Sequence, residues 1–214
     1  MPAALTDFLP WVISHLPGCP KRLLLDGIRG ASIEWCKRTR ILQTDLAYDV
    51  HSGNRIISLV PASVLPGDPM EFCVVWEVLK VVDADGRVLD PINQYDSDAE
   101  DLDIQTGSPR AYYLSGQNSL VLAPIPDADG TINVKMVIRP KDDTETVDDI
   151  LFDDWREPIA AGARSWIRRN HGNWLNPSLL AFDQEFFEGA INRYNTRRAQ
   201  GGVSLPLRSR LFTF

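Results

Sequence analysis

The sequence predicts an α+β fold: a four-helix bundle formed by N- and C-terminal helix pairs, with an inserted antiparallel β sandwich or barrel domain and an extended C-terminal tail. Two observations predict it. Apolar residues recur at three- and four-residue steps near both ends of the chain, whereas the middle consists of short β-favouring runs bounded by Gly, Pro and Asp. Charge divides at the same places: residues 1–44 carry six Lys/Arg against three Asp/Glu, residues 45–147 seven against eighteen, and residues 148–214 nine against eight. The expected organisation is helices over 1–44, an acidic β domain over 45–147, helices over 148–202 and a tail over 203–214.

Each element has a local reason. Thr6 followed by Asp7 to Leu16 reads as a short helix with Pro10 in its first turn and a stop at Pro17-Gly18. A second helix runs from Pro20 toward Arg40, with Leu24, Ile28, Ala31 and Trp35 on one face. Its outer face is basic. Lys21, Arg22, Arg29, Lys37, Arg38 and Arg40 read as a solvated face or a protein interface in preference to a phosphate site, because charge runs on helices are usually solvated.

In the middle, Arg55 to Val60 is a strand, and Phe72 to Val82 with Arg87 to Asp90 forms a hairpin across Asp83-Ala84-Asp85-Gly86. Gly107 to Tyr113 and Leu120 to Asp127 form a second hairpin across Ser115-Gly116-Gln117-Asn118, its first strand bounded by Gly and Pro and its second closed by two prolines. Thr131 to Arg139 follows the turn Asp127-Ala128-Asp129-Gly130. The acidic run from Asp96 to Asp103 lacks the Gly and Glu of a calcium-binding EF-hand loop, so a solvated loop is expected.

Helices return at Asp148. Trp155, Ile159, Ala163 and Trp166 share a face, with acidic residues at the start, arginines at the end and Pro158 positioned to delay or kink the first turn. The last helix has Asn176 as N-cap, Pro177 as its first residue and Leu180, Phe187, Ile191 and Tyr194 on its inner face. Beyond Gly201-Gly202, the tail carries Leu205, Leu207, Arg208, Arg210, Leu211, Phe212 and Phe214. It reads either as a frayed terminus or as a docking peptide.

Chemistry-bearing patterns are missing. There is no phosphate-binding glycine loop, nucleophile elbow, zinc-protease helix or dinucleotide fingerprint, so neither a catalytic residue nor a metal or other cofactor is expected. His15, His51 and His171 fall one to a region, and Cys19, Cys36 and Cys73 read as buried free thiols. No apolar run approaches the ~20 residues of a membrane span, and Met1-Pro2-Ala3-Ala4 does not open like a signal peptide.

Specific wording adds to this. Gly107, Pro109 and Tyr112 form a "G-x-P-x-x-Y" strand, followed by "L-x-L-x-P-x-P-D" from Leu120 to Asp127. The chain also carries "L-P-x-x-x-x-H-L-P-G-C-P" from Leu9 to Pro20, Arg38-Thr39 at a helix end and Arg139-Pro140 at a strand end. "W-x-x-x-I-A-x-G-A" runs from Trp155 to Ala163 and "F-x-x-x-I" from Phe187 to Ile191. In this order the motifs resemble the head-to-tail connector adaptors of tailed bacteriophages, including tail tubular protein A and related head-completion proteins.

The resemblance implies a structural virion protein of the neck, assembled in the host bacterial cytoplasm. Its subunits would form a dodecameric ring below the portal protein, extend the DNA channel and present a platform to a downstream tail or nozzle protein. DNA would pass without sequence-specific binding. The tail residues from Leu205 to Phe214 would dock on the portal, and Lys21, Arg22, Arg29, Lys37 and Arg38 would form a basic face between subunits. The alternatives are a DNA-packaging or nucleic-acid-binding accessory protein, which needs a contiguous basic face, and a nucleotide- or glycan-acting enzyme, which needs a convergent pocket.

Overall fold

A computed structural model describes residues 2–60, 69–93, 105–116 and 118–201. The acidic run from Asp96 to Asp103, Gln117 of the second hairpin turn and the whole tail from Val203 lie outside the described residues.

The helices are α1 (Leu9–Ile13), α2 (Lys21–Thr39), α3 (Asp149–Asp153), α4 (Arg156–Asn170) and α5 (Pro177–Ala199). The described strands are β1 (Ala3–Ala4), β2 (Gln43–Val50), β3 (Ile56–Ser58), β4 (Cys73–Val82), β5 (Asp90–Pro91), β6 (Ala111–Leu114), β7 (Ser119–Ala123), β8 (Gly130–Pro140) and β9 (Thr146–Val147). They form three sheets, ordered β1-β9, β2-β8-β4 and β3-β7-β6-β5. The mixed α and β composition matches the sequence expectation, but the helical layer is not four long helices. Three long helices, α2, α4 and α5, pack together, and the five-residue α1 lies against α4.

Local chemistry accounts for the boundaries. Pro10 sits in the first turn of α1, and Gly18 takes φ +73° where the chain turns toward α2. The Asp148 side chain caps α3 by accepting from the Ile150 N–H, and Asn176 caps α5 by accepting from the Leu179 N–H at 3.1 Å. The segment read as one helix from Asp148 is two, broken at Asp154-Trp155. Pro158, in the first turn of α4, has no N–H to give the Asp154 carbonyl, so the two helices cannot run on as one.

The strands depart from expectation in two ways. The turn at Asp83–Gly86 forms, with the Asp83 N–H donating to the Arg87 carbonyl at 2.9 Å, but the antiparallel partnership ends after the Val82–Val88 bridge. The chain then crosses to the other sheet, where β5 pairs parallel with β6. The expectation of a purely antiparallel insert fails at this pair. The second hairpin is as expected, with Ala111 opposite Ala123 and Leu114 opposite Leu120. Strand β2 was not foreseen, although its alternation is clear: Thr44, Leu46, Tyr48 and Val50 turn inward while Gln43, Asp45, Ala47 and Asp49 face out.

One core runs through both layers, from Leu24, Ile28 and Trp35 through Ile159, Ala163 and Phe187 to Val75, Val134 and Met136. Helices α2 and α4 approach closely because Gly162 has no side chain: a Cβ there would meet the Phe187 ring at 2.8 Å and the Ala31 Cβ at 3.1 Å. The three cysteines are free and buried. Burial pushes the Cys73 thiol up to about 12 and raises that of Cys36 as well, which holds both as inert core groups.

Candidate assembly surfaces

Four surfaces concentrate the unusual chemistry. The first is a stripe at the start of α5. Leu175, Leu179 and Phe182 are 55%, 45% and 63% exposed, and the half-buried Phe186 continues the line. The three- and four-residue spacing places Leu179, Phe182 and Phe186 on one side of the helix, and Leu175 immediately precedes its N-cap Asn176. The Phe182 and Phe186 rings stack with centroids 6.5 Å apart. Beside them Pro10, Trp11, Ser14, His15, Glu157 and Arg164 complete a groove of about 260 Å³ between α1 and α5. The sequence reading missed this stripe because α5 is apolar on two sides at once: Phe187, Ala190 and Ile191 face the core, and Leu179 and Phe182 face water.

Beneath the stripe lies a buried ionic cluster. Asp183, 3% exposed, pairs with Arg164 at 2.7 Å and with Arg168, itself 2% exposed. The two guanidinium groups also donate to α1 and its exit, Arg164 to the Trp11 carbonyl at 2.7 Å and Arg168 to the His15 carbonyl at 3.2 Å. The Trp11 carbonyl lies in the last turn of a short helix and the His15 carbonyl just after it, where carbonyls lack a helical N–H and need a donor. Burial lowers the pKa of both arginines. The His15 imidazole is also lowered, by burial first and then by Arg164 and Arg168. Three elements are thereby tied to a single carboxylate.

The predicted basic face of α2 is the second surface, and much of it is internally engaged. Arg29 donates to the Thr144 carbonyl and to Asp26, both at 2.8 Å. Lys37 lies 4.5 Å from the centre of the Trp76 ring. Arg38 holds Glu188 of α5 with two hydrogen bonds of 2.6 and 2.5 Å, and Arg40 pairs with Glu77 at 2.9 Å. Lys21 and Arg22 are exposed and share a shallow cleft with Asp142, Asp143 and Glu145. The helix face therefore carries alternating charge at its Lys21 end and intramolecular pairs at its Arg38 end.

The Arg38–Glu188 pair makes a measurable prediction. The hydrogen bond from Arg38 lowers the Glu188 pKa, so the pair stabilises the fold above the ordinary glutamate range of about 4.3 and the contribution disappears as pH falls through the folded value. Both side chains are more than a third exposed, so screening limits the effect. Glu188→Gln should lower stability by about 0.5 kcal/mol at pH 7, and in urea titrations the difference from the parent should shrink progressively as the pH falls below the ordinary glutamate range.

The third surface is acidic. The identical turns Asp83-Ala84-Asp85-Gly86 and Asp127-Ala128-Asp129-Gly130 lie side by side at the ends of β4 and β8 and border one cavity of about 230 Å³ with Ser108 and Pro109. His51 sits 3.9 Å from Asp129. This tip is at the C-terminal end of β4, whereas Glu77, which pairs with Arg40 at the end of α2, lies midway along that strand. The fourth surface is a groove of about 360 Å³ where Gly30, Gly162, Trp166 and Phe187 meet between α2, α4 and α5.

The histidines do not converge: His51 is at the acidic tip, and the His171 ring packs against Trp166, 5.6 Å between centroids. Among the described residues, no three His, Cys, Asp or Glu side chains are grouped to hold a metal ion. No described helix is long and apolar enough to cross a membrane. The predicted docking residues Leu205, Leu207, Arg208, Arg210, Leu211, Phe212 and Phe214 lie outside the described residues.

No curated protein matches this chain. The family model described as SU10 adaptor protein matches residues 5–210, taking in every described helix and all the described strands but β1. The chain belongs to the SU10 adaptor protein family and is accordingly a structural adaptor protein of a bacteriophage.

Proposed function

We infer that the chain is a head-to-tail adaptor whose subunits form a ring below the portal, extend the DNA channel and carry the attachment platform for the tail. The observation that carries this reading is the separation of surface chemistry: an apolar stripe and groove on the helices, and an acidic tip at the far end of the longest strands. An adaptor must meet unlike partners at once, and a ring needs two different faces of each subunit to match. The resemblance of the sequence motifs to those of tail tubular protein A and head-completion proteins supports the same assignment. The dodecameric state, the platform for a downstream nozzle protein and the virion neck location belong to this proposal.

DNA fits the proposal as a passing polymer. The segment over 45–147 carries eighteen acidic residues against seven basic ones, and a cation-poor surface gives phosphates little to hold. The basic residues of α2 would meet a neighbouring subunit, with Lys21 and Arg22 the most available of them.

The tail supplies the test. Leu211→Asp with Phe212→Asp should abolish co-sedimentation with portal particles while leaving the far-ultraviolet circular dichroism unchanged, since each well-buried Leu or Phe contributes roughly 1.5–3 kcal/mol and a ring repeats the contribution. Unaltered co-sedimentation would remove the portal-docking role from the tail.

A further inference from the structure

The stripe of Leu175, Leu179, Phe182 and Phe186 has no partner among the described residues on its outer side, yet the chain still has twelve residues, Val203 to Phe214, beyond the end of α5. Length, register and charge fit the two together. Helix α5 has 23 residues and so a length of about 35 Å at about 1.5 Å per residue. Twelve extended residues reach about 40 Å. Laid back antiparallel along α5 from Gly201, the tail brings Leu211, Phe212 and Phe214 beside the segment from Leu175 to Phe182. Arg208 and Arg210 then fall beside the exposed Glu185, and the wall of the groove next to Phe182 and Phe186 carries a second carboxylate, Glu157.

Area separates this occupant from a second copy. The exposed part of these side chains amounts to on the order of 400 Å², so two copies pairing through the stripe would bury about 800 Å² in all, short of the ~1,000 Å² total that a specific interface between globular surfaces needs, whereas a short peptide can cover the stripe.

We propose that, in the unassembled subunit, the tail from Val203 to Phe214 folds back on its own α5, covers the Leu175–Phe186 stripe and places its arginines beside Glu185 and Glu157. The contact is autoinhibitory. It hides the stripe and the tail from other partners until the portal competes for the tail, and this consequence rests on the portal-docking role proposed above.

The test uses the full-length chain with Ser178→Cys and Thr213→Cys, two positions that leave every apolar residue of the stripe and tail in place. The native cysteines are buried and do not compete. The tether holds the tail at an effective concentration near mM, so in protein at about 1 μM an intrachain disulfide should exceed an interchain one by about a thousandfold. Oxidation should give a monomeric chain lighter by two hydrogens. Adding Phe182→Asp should cut the yield at least tenfold, and a control pair of Asp85→Cys with Thr213→Cys should not cross-link. An interchain product, equal yields from the test and control pairs, or no effect of Phe182→Asp would each overturn the proposal. The oxidised chain should then fail to co-sediment with portal particles and regain binding on reduction. If the disulfide forms but the locked chain still binds the portal, the fold-back stands and the docking role of the tail falls.

Discussion

Asp183→Ala should lower the free energy of unfolding by about 3–5 kcal/mol, a large part of the total stability of an ordinary domain. The reason lies in what would remain. Arg164 and Arg168 stay charged at any physiological pH, Arg168 is buried and the Arg164 side chain is only 12% exposed, and Asp183 is the carboxylate that pairs with each of them. Removing it strands two guanidinium groups in a low-dielectric setting, each held to a carbonyl of the α1 segment. Asp183→Asn keeps the shape and one acceptor and should cost less. Replacing all three residues with apolar side chains of similar volume, Arg164→Met, Arg168→Met and Asp183→Leu, should recover much of the loss, because the desolvation penalty disappears with the charges. Urea unfolding of the three variants checks this ordering. A loss below about 1 kcal/mol for Asp183→Ala would mean that water reaches the arginines.

The cluster also shows where sequence reasoning stops. The helices on which Arg164, Arg168 and Asp183 sit were legible, since Asn176-Pro177 and the Trp155–Trp166 periodicity are local signals. That a carboxylate of α5 would neutralise two arginines of α4 was not, because Asp183 falls among apolar neighbours at a spacing that reads equally well as solvent-facing. The α5 stripe was hidden for the same reason. A helix apolar on two sides gives no single moment, and only packing shows that Phe187 faces inward and Phe182 outward. In the β region the turns were legible from Gly86, Gly116 and Gly130, but the pairing of β5 with β6 was not. The chain crosses between sheets after Leu89, and nothing local encodes a parallel partner. Strand β2 could have been read from its alternation alone.

Trp35→Ala should be as damaging as loss of Asp183, for a different reason. Trp35 is fully buried on α2, with its ring 4.9 Å from Trp155 at the start of α4 and 5.8 Å from Phe187 on α5, and Trp155 in turn meets Tyr194 edge-on at 5.3 Å. A single side chain thus joins the three long helices, at the end of α2 where Cys36 and Thr39 are also buried. Truncation removes the ring and leaves a cavity that three helices cannot close together, which gives an expected loss of about 3–5 kcal/mol. Trp35→Phe discriminates packing from polarity. The indole N–H has no hydrogen-bond partner among the described residues, and burying such a donor costs about 1–3 kcal/mol. Phenylalanine therefore gives up contact area but also removes an unsatisfied group, and should cost less than half of what alanine does. Thermal unfolding of both variants decides the matter: equal losses would show that the indole N–H is satisfied in solution and that the whole ring, rather than its apolar part, holds the helices together.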